Sequence, residues 1–224
     1  MLILGLLVVV LFLHLRRKRE DRALLTTVTD LFRGTWSERD LVLRLLKQGI
    51  PSSIIFHDLY VKKRNGRFAQ IDLVVPTKVG IIVFEVKDYS GWIFGKGYQS
   101  HWMQVLAYGR EKNRFYNPIK QNEGHIEALK WQLKQVADVP FYSIIVFYGD
   151  CVLKDVSGIP DNTYIVGPRG VARIMEMISE SNPPAIYADK RAVVEILRRG
   201  VRNGAEKNIQ LQHIEQIRDI INER

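Results

Sequence analysis

The stretch Ile71-Asp72-Leu73-Val74-Val75-Pro76-Thr77-Lys78-Val79-Gly80-Ile81-Ile82-Val83-Phe84-Glu85-Val86-Lys87 holds two apolar, β-branched runs on either side of a short break. Such runs read as strands, here over 70–75 and 80–87. Side chains alternate along a strand, so Glu85 and Lys87 leave from one face and Phe84 and Val86 from the other. If the strands join through a two-residue turn at Lys78-Val79, Thr77 opposes Gly80 and Asp72 falls directly opposite Glu85. Directly opposed residues have Cβ atoms roughly 5 Å apart, where like charges repel. A fold keeps such a pair where a cation offsets the repulsion. Lys87 supplies one positive charge and leaves the pair one short. A divalent ion matches it, and an oxygen-only donor set points to Mg²⁺ or Mn²⁺. The alternative is a ladder of charged residues on a surface edge strand. The apolar residues on both faces argue against that.

Upstream, Ser37 reads as an N-cap for a helix over 38–48, with Leu41, Val42, Leu45 and Leu46 on one face and Gly49 and Pro51 as its stop. A strand over 54–59 and a basic turn through Lys62, Lys63, Arg64, Asn65, Gly66 and Arg67 precede the central pair. Downstream, 92–94 and 98–105 read as a hairpin with Gly95 and Gly97 at its turn. Asn117 and Pro118 open a helix running to about 137, since proline suits the first helical position. The nearly all-apolar 141–148 reads as a strand buried on both faces, and 163–166 as another short strand. Helices over 168–179, 190–201 and 206–222 follow, the last docking on the domain. The order predicts an α/β fold with a mixed, mostly antiparallel central sheet flanked by helices.

Residues 1–15 are apolar apart from His14, and Arg16, Arg17, Lys18 and Arg19 follow at once. A secretory signal carries its positive charges before the apolar run, the reverse of this order. Fifteen helical residues span roughly 22 Å, less than a hydrocarbon core of roughly 30 Å, a gap that snorkelling arginines can narrow. The expectation is one N-terminal transmembrane helix that places everything after the basic run in the cytoplasm. The parts are then 1–15 as anchor, 16–36 as a basic connector, 37–167 as the core domain and 168–224 as helices packed on it.

The single cysteine, Cys151, excludes an internal disulfide and a thiolate metal cluster. The 33 Lys and Arg against 24 Asp and Glu leave a net charge of +9, of which five bases and two acids lie in 16–22. The remaining excess suits a polyanion partner, though solvated loops carry such charge as well. Lys62, Lys63, Arg64 and Arg67, with Arg110, Lys112 and Arg114, are candidate phosphate contacts. Trp92, Tyr98, His101 and Trp102 fit sheet packing better than base stacking.

Asp72, twelve intervening residues, then Glu85-Val86-Lys87 matches the PD-(D/E)XK nuclease pattern, with Ile71 in place of the leading proline. The wider run from Gly80 to Gly91, then Trp102, then Asn117-Pro118-Ile119-Lys120-Gln121, resembles the nuclease-related domain, NERD, of bacterial and archaeal proteins. The resemblance covers about 37–148. It implies a restriction-endonuclease-like fold, with Asp72, Glu85 and the Val86 backbone carbonyl as ligands of Mg²⁺ or Mn²⁺. Lys87 is implied as the charge that positions or activates water, and Glu38 as a further carboxylate facing the metal. Gln121 is implied to hold the site or the substrate backbone. His125, one turn on from Gln121, reads as a half-exposed polar residue rather than a ligand. The function expected is that of a membrane-anchored, metal-dependent phosphodiesterase at the inner face of a prokaryotic inner membrane. Its substrate is nucleic acid, DNA ahead of RNA. The alternative is a non-catalytic nucleic-acid-binding or scaffold module that retains the fold.

Overall fold

The structure is a computed structural model describing residues 2–222. Its strands are β1 (Phe56–Lys62), β2 (Phe68–Thr77), β3 (Gly80–Asp88), β4 (Gly91–Lys96), β5 (His101–Leu106), β6 (Glu111–Tyr116), β7 (Phe141–Tyr148), β8 (Cys151–Ser157) and β9 (Thr163–Val166). Its α-helices are α1 (Leu2–Leu25), α2 (Trp36–Lys47), α3 (Pro118–Leu133), α4 (Val171–Ser181), α5 (Lys190–Asn203) and α6 (Lys207–Asn222). Among the described residues the strands form a central sheet, β1-β2-β3-β7-β9, and a second sheet, β6-β5-β4-β8.

The α/β class holds, but the central sheet is not mostly antiparallel. β1–β2 and β2–β3 are antiparallel, whereas β3–β7 and β7–β9 are parallel. Parallel pairing follows from the long crossover through α3 between β3 and β7. One face of the sheet packs Leu73, Val75, Ile82, Phe84 and Ile144 under α2 and α4. The other packs Ile81 and Val83 under Leu129 and Leu133 of α3 and Val193 and Leu197 of α5. The second sheet lays Ile93 and Trp102 on Ile145 and Phe147 of the first.

Both faces being covered explains the runs of consecutive buried residues in β3 and β7. Strand β1 departs from simple alternation at Asp58, whose φ of 53° lies in the left-handed region that aspartate tolerates. Arg33 holds it there, donating through Nε to Asp58 Oδ2 at 2.9 Å, and Gln70 Nε2 donates to Asp58 Oδ1 at 2.9 Å. Across this kink β2 changes face: Ala69 and Ile71 lie in the α3–α5 core, Leu73 and Val75 in the α2–α4 core.

Two caps set the helices that meet the site. The cap of α2 is Thr35 rather than Ser37: its hydroxyl oxygen accepts from the Glu38 N–H at 3.3 Å and its hydroxyl donates to Glu38 Oε1 at 2.7 Å. Asn117 caps α3 as expected, accepting from the Ile119 N–H at 2.9 Å. Fully buried, it also donates to the carbonyls of Gly97 at 2.9 Å and Gln99 at 2.7 Å. The Asn-Pro pair therefore starts α3 and ties it to the β4–β5 loop.

At the N-terminus the helix does not end at the basic run. It continues through it to Leu25, with Arg16 and Glu20 paired at 2.9 Å one turn apart. Leu24 and Leu25 pack in the α2 core, while Leu6–Leu13 and Leu15 stand exposed. Among the described residues no helix is long and apolar enough to cross a membrane. The expected spanning helix is thus not met, because its apolar part stops at Leu15. Met1 lies outside the described residues.

Candidate functional site

The β2–β3 turn is the two-residue one expected, with Thr77 paired to Gly80 and the register running back to Leu73 opposite Phe84. One step further that register sets Asp72 opposite Glu85. There the ladder stops, although β2 continues against β1 and β3 against β7. The strands part at this point, and the Asp72 side chain reaches across: its Oδ2 accepts from the Val86 N–H at 2.7 Å. A carboxylate stands in for the strand carbonyl that the splayed ladder no longer supplies.

Glu85 and Lys87 project from the α3 side of β3. Lys87 Nζ lies 2.5 Å from Glu85 Oε1 and donates to Gln121 Oε1 at 3.0 Å. Gln121 sits in the first turn of α3, so the Asn117 cap fixes where it points. One turn on, His125 Nδ1 lies 3.4 Å from Glu85 Oε2; both atoms are buried, and the approach lacks hydrogen-bond geometry. His125 is buried, not half-exposed, because the α3 face that carries it lies against the sheet.

Glu38, in the first turn of α2, is committed to the Thr35 hydroxyl and to His57 Nε2 at 3.2 Å. His57 Nδ1 in turn meets Thr29 Oγ1 at 2.8 Å. Gly34 closes over this chain. A Cβ there would lie 2.5 Å from Glu38 Oε2 and 2.7 Å from His57 Nε2, at a φ of +66° that also favours glycine. His57 and Thr35 are site-supporting residues that the sequence reading passed over. The Thr35-x-x-Glu38 capping spacing was the available signal.

Electrostatics tie the three carboxylates together. Burial, then the Glu85 and Glu38 charges, hold the Asp72 carboxyl well above the usual carboxylate range. Burial also raises Glu85, with Lys87 opposing. Burial alone would lower Lys87, but Glu85 and Asp72 outweigh it and its ammonium is held more tightly than usual. Burial would raise Glu38 as well, yet its bonds to His57 and Thr35 bring it below the ordinary value. His125 is pushed down to about 3 by burial and by the nearby Lys63 and Lys87, so its ring is neutral at physiological pH.

The structure thus brings Asp72, Glu85, Lys87 and Gln121 together, with Val86 joined through its N–H. Glu38 is near enough to couple electrostatically but is engaged elsewhere. Among the described residues no three His, Cys, Asp or Glu side chains converge closely enough to hold one ion. Glu85 Oε2 nevertheless remains a buried, unpartnered oxygen beside an opposed carboxylate. One or two carboxylates with water and substrate oxygens are what Mg²⁺ takes. The donors fit such an ion, though not a closed cage. Lys62 ends β1, and Lys63, Arg64 and Asn65 line a cavity of about 550 Å³ with Gly124, Glu127 and Trp131 of α3. Arg67 is exposed at the start of β2. Arg110, Lys112 and Arg114 are exposed on and before β6 of the second sheet, away from the β1–β2 turn in sequence and in strand order.

A sheet whose neighbouring strands present an aspartate and a Glu-x-Lys on its helix-covered face defines a nuclease-like class of domain. The family model described as nuclease-related domain, NERD, matches residues 33–148, and the chain belongs to that family. An uncharacterized protein of Bacillus anthracis is 36% identical over 118 residues, covering 52% of this chain and 54% of the relative. The chain thus spans about half the length of that relative. No solved structure matches the chain.

The raised carboxyls give the metal-free protein a definite pH dependence. An unfolded Asp72 loses its proton in the ordinary carboxylate range, whereas the folded one keeps it to higher pH. Over that interval the folded state binds more protons, so stability falls as pH rises. Urea denaturation of the chelator-treated protein, followed upward in pH from the ordinary carboxylate range, should show this fall. Asp72→Asn should flatten it and stabilise the metal-free protein at neutral pH, because it removes a carboxyl whose ionisation the fold opposes. An unchanged slope in Asp72→Asn would mean that Asp72 is not the strained group.

Proposed function

We propose that the chain is a metal-dependent, nuclease-type phosphodiesterase acting on nucleic acid, DNA ahead of RNA. The observation that carries this reading is the opposed pair of half-buried Asp72 and buried Glu85, with Lys87 between Glu85 and Gln121. Asp72 and Glu85 would hold Mg²⁺ or Mn²⁺, with the Val86 carbonyl as a further donor. The ion, when bound, supplies Lewis acidity and charge neutralisation at a scissile phosphate. Asp72 keeps its orientation through the Val86 N–H. Lys87 would bring a fixed positive charge to where negative charge develops on the phosphate, in a partly buried site. Gln121 holds the ammonium in place, and Glu38, locked by His57, adds a fixed negative potential to the site.

Support for a polyanionic substrate comes from Lys63 and Arg64 beside α3, and from the outer face of the second sheet. Strand alternation sets Lys112, Arg114 and Tyr116 of β6 on one face with His101 and Met103 of β5 and Trp92 and Phe94 of β4. Basic and aromatic side chains on one sheet face suit phosphates and bases respectively. One observation favours the alternative, a non-catalytic binding module: among the described residues no three donor side chains converge on one point. Cleavage separates the two. The full chain, given labelled single- and double-stranded DNA and RNA, should cut with Mg²⁺ or Mn²⁺ and not with chelator. Lys87→Ala should lower the rate by about 10²–10³, the usual cost of a positioned electrostatic group. Binding without cleavage of any substrate in either metal would leave the binding module as the function.

The exposed Leu6–Leu13 segment of α1 supports a membrane partner, since an apolar helix surface packed on nothing is unfavourable in water. We infer that this part of α1 enters the inner membrane. The bases of 16–22 would then lie at the anionic cytoplasmic surface, with the nuclease-like domain on that side. On cell fractionation the chain should stay in the membrane pellet through a high-salt wash, and Leu7→Glu with Leu11→Glu should release it. Recovery of the unaltered chain in the soluble fraction would contradict this attachment.

A further inference from the structure

The β1–β2 turn and α3 flank a cavity of about 550 Å³, within the roughly 300–1,000 Å³ that small ligands occupy. Its walls are tied together. Gln132 of α3 donates through Nε2 to the Lys62 carbonyl at 2.8 Å, and the turn closes on itself as the Lys63 N–H donates to the Arg67 carbonyl at 2.7 Å. Charge in the cavity is one-sided. Lys130 is paired with Glu127 at 3.0 Å, whereas among the described residues neither Lys63 nor Arg64 has an acidic partner. Lys63 is half-buried, and burial and Arg67 both disfavour its ammonium, so an anion beside it would relieve the site.

Two further wall residues are not accounted for by packing. Trp36 and Trp102 lie against Tyr148 and Phe147, and Trp92 lies under Lys154. Among the described residues Trp131, the fourth tryptophan, meets no ring or cation, and it is only half-buried. Gly124 lies inside α3, where glycine is the least favourable residue after proline. No atom stands within 4 Å of the place its Cβ would take, and its φ is not left-handed, so neither crowding nor conformation calls for glycine. Bare backbone of this kind suits the close approach of a ligand. Gln121, which holds Lys87, Gly124 and Trp131 follow one side of α3, so the wall runs about 15 Å along the helix from the Lys87 site.

We propose that this cavity is a subsite for a single strand of nucleic acid, with its phosphate held by Lys63 and Arg64 against the backbone at Gly124 and an unpaired base stacked on Trp131. This rests on the reading of the domain as one that acts on nucleic acid, and it gives that domain a preference for single strands over duplex. Bases in a duplex are covered by their neighbours, so only an unstacked base reaches an aromatic side chain in a cavity. A strand seated here leads along α3 to Lys87.

Binding of labelled oligonucleotides to the full chain in chelator, as single strand and as duplex, reads the subsite without cleavage. The parent should bind the single strand more tightly. Trp131→Ala should weaken that binding about 5- to 150-fold, the worth of one stacked base, and leave duplex binding unchanged, while Trp131→Phe should keep most of it. Gly124→Gln should raise Tm by about 2–4 °C, as a helix former in place of glycine does, yet weaken single-strand binding. A merely structural glycine would not give that combination. A parent that does not favour the single strand, or Trp131→Ala and Gly124→Gln variants that bind it as the parent does, overturns the subsite and leaves the nuclease reading to its cleavage test. A poly-glutamate peptide bound with the same dependence on Trp131 overturns the assignment of the ring to bases. Single-strand binding that needs Trp131, in a chain that cuts nothing in Mg²⁺ or Mn²⁺, keeps the subsite and removes the nuclease.

Discussion

Past Leu73 and Phe84, strands β2 and β3 stop pairing with each other while each goes on pairing with its outer neighbour. Two carboxylates sit in the mouth of that opening. Asp72 closes the gap by accepting from the Val86 N–H, and Glu85 faces it from β3. Glu85 is buried and Asp72 half-buried in a sheet covered by helices on both faces, so their charges are poorly hydrated and weakly screened. Much of the surrounding architecture serves to compensate this pair or hold it still.

Lys87 and Gln121 act from the α3 side, and Glu38, His57 and Thr29 from the α2 side. Each helix is placed by its own cap, Asn117 for α3 and Thr35 for α2. Lys87 supplies only one positive charge against three mutually coupled carboxylates, one of which is already spoken for by His57. What remains is the raised Asp72 carboxyl and the unpartnered Glu85 oxygen. A protonated aspartate or a bound cation resolves that strain, and the proposed chemistry is the second case.

The central pairing was legible in the sequence because a two-residue turn and a buried sheet leave a single register that keeps apolar residues inside. Asn117-Pro118 and the apolar β7 were legible for the same local reasons. Strands β6 and β8 were not: Glu111-Lys112-Asn113-Arg114-Phe115-Tyr116 and the largely exposed β8 lie at sheet edges, where neither face need be buried and no alternation appears. The face change at Asp72 depends on Asp58 being held in the left-handed region by Arg33, a contact between distant residues. The burial of His125 depends likewise on β3, which the helix period of α3 alone does not reveal. The parallel half of the sheet escaped because it follows from the path of the crossover, not from the strands' own residues.

The most direct measurement is the unfolding free energy of the full chain as a function of Mg²⁺ concentration at neutral pH. An ion that binds the folded pair and not the unfolded chain raises stability by about 1.4 kcal/mol per tenfold excess over its dissociation constant. The parent should follow that rise, and Glu85→Gln should be indifferent to Mg²⁺. A parent whose stability is the same with and without the ion, or a Glu85→Gln variant that gains as much from it, would contradict a cation held by Asp72 and Glu85.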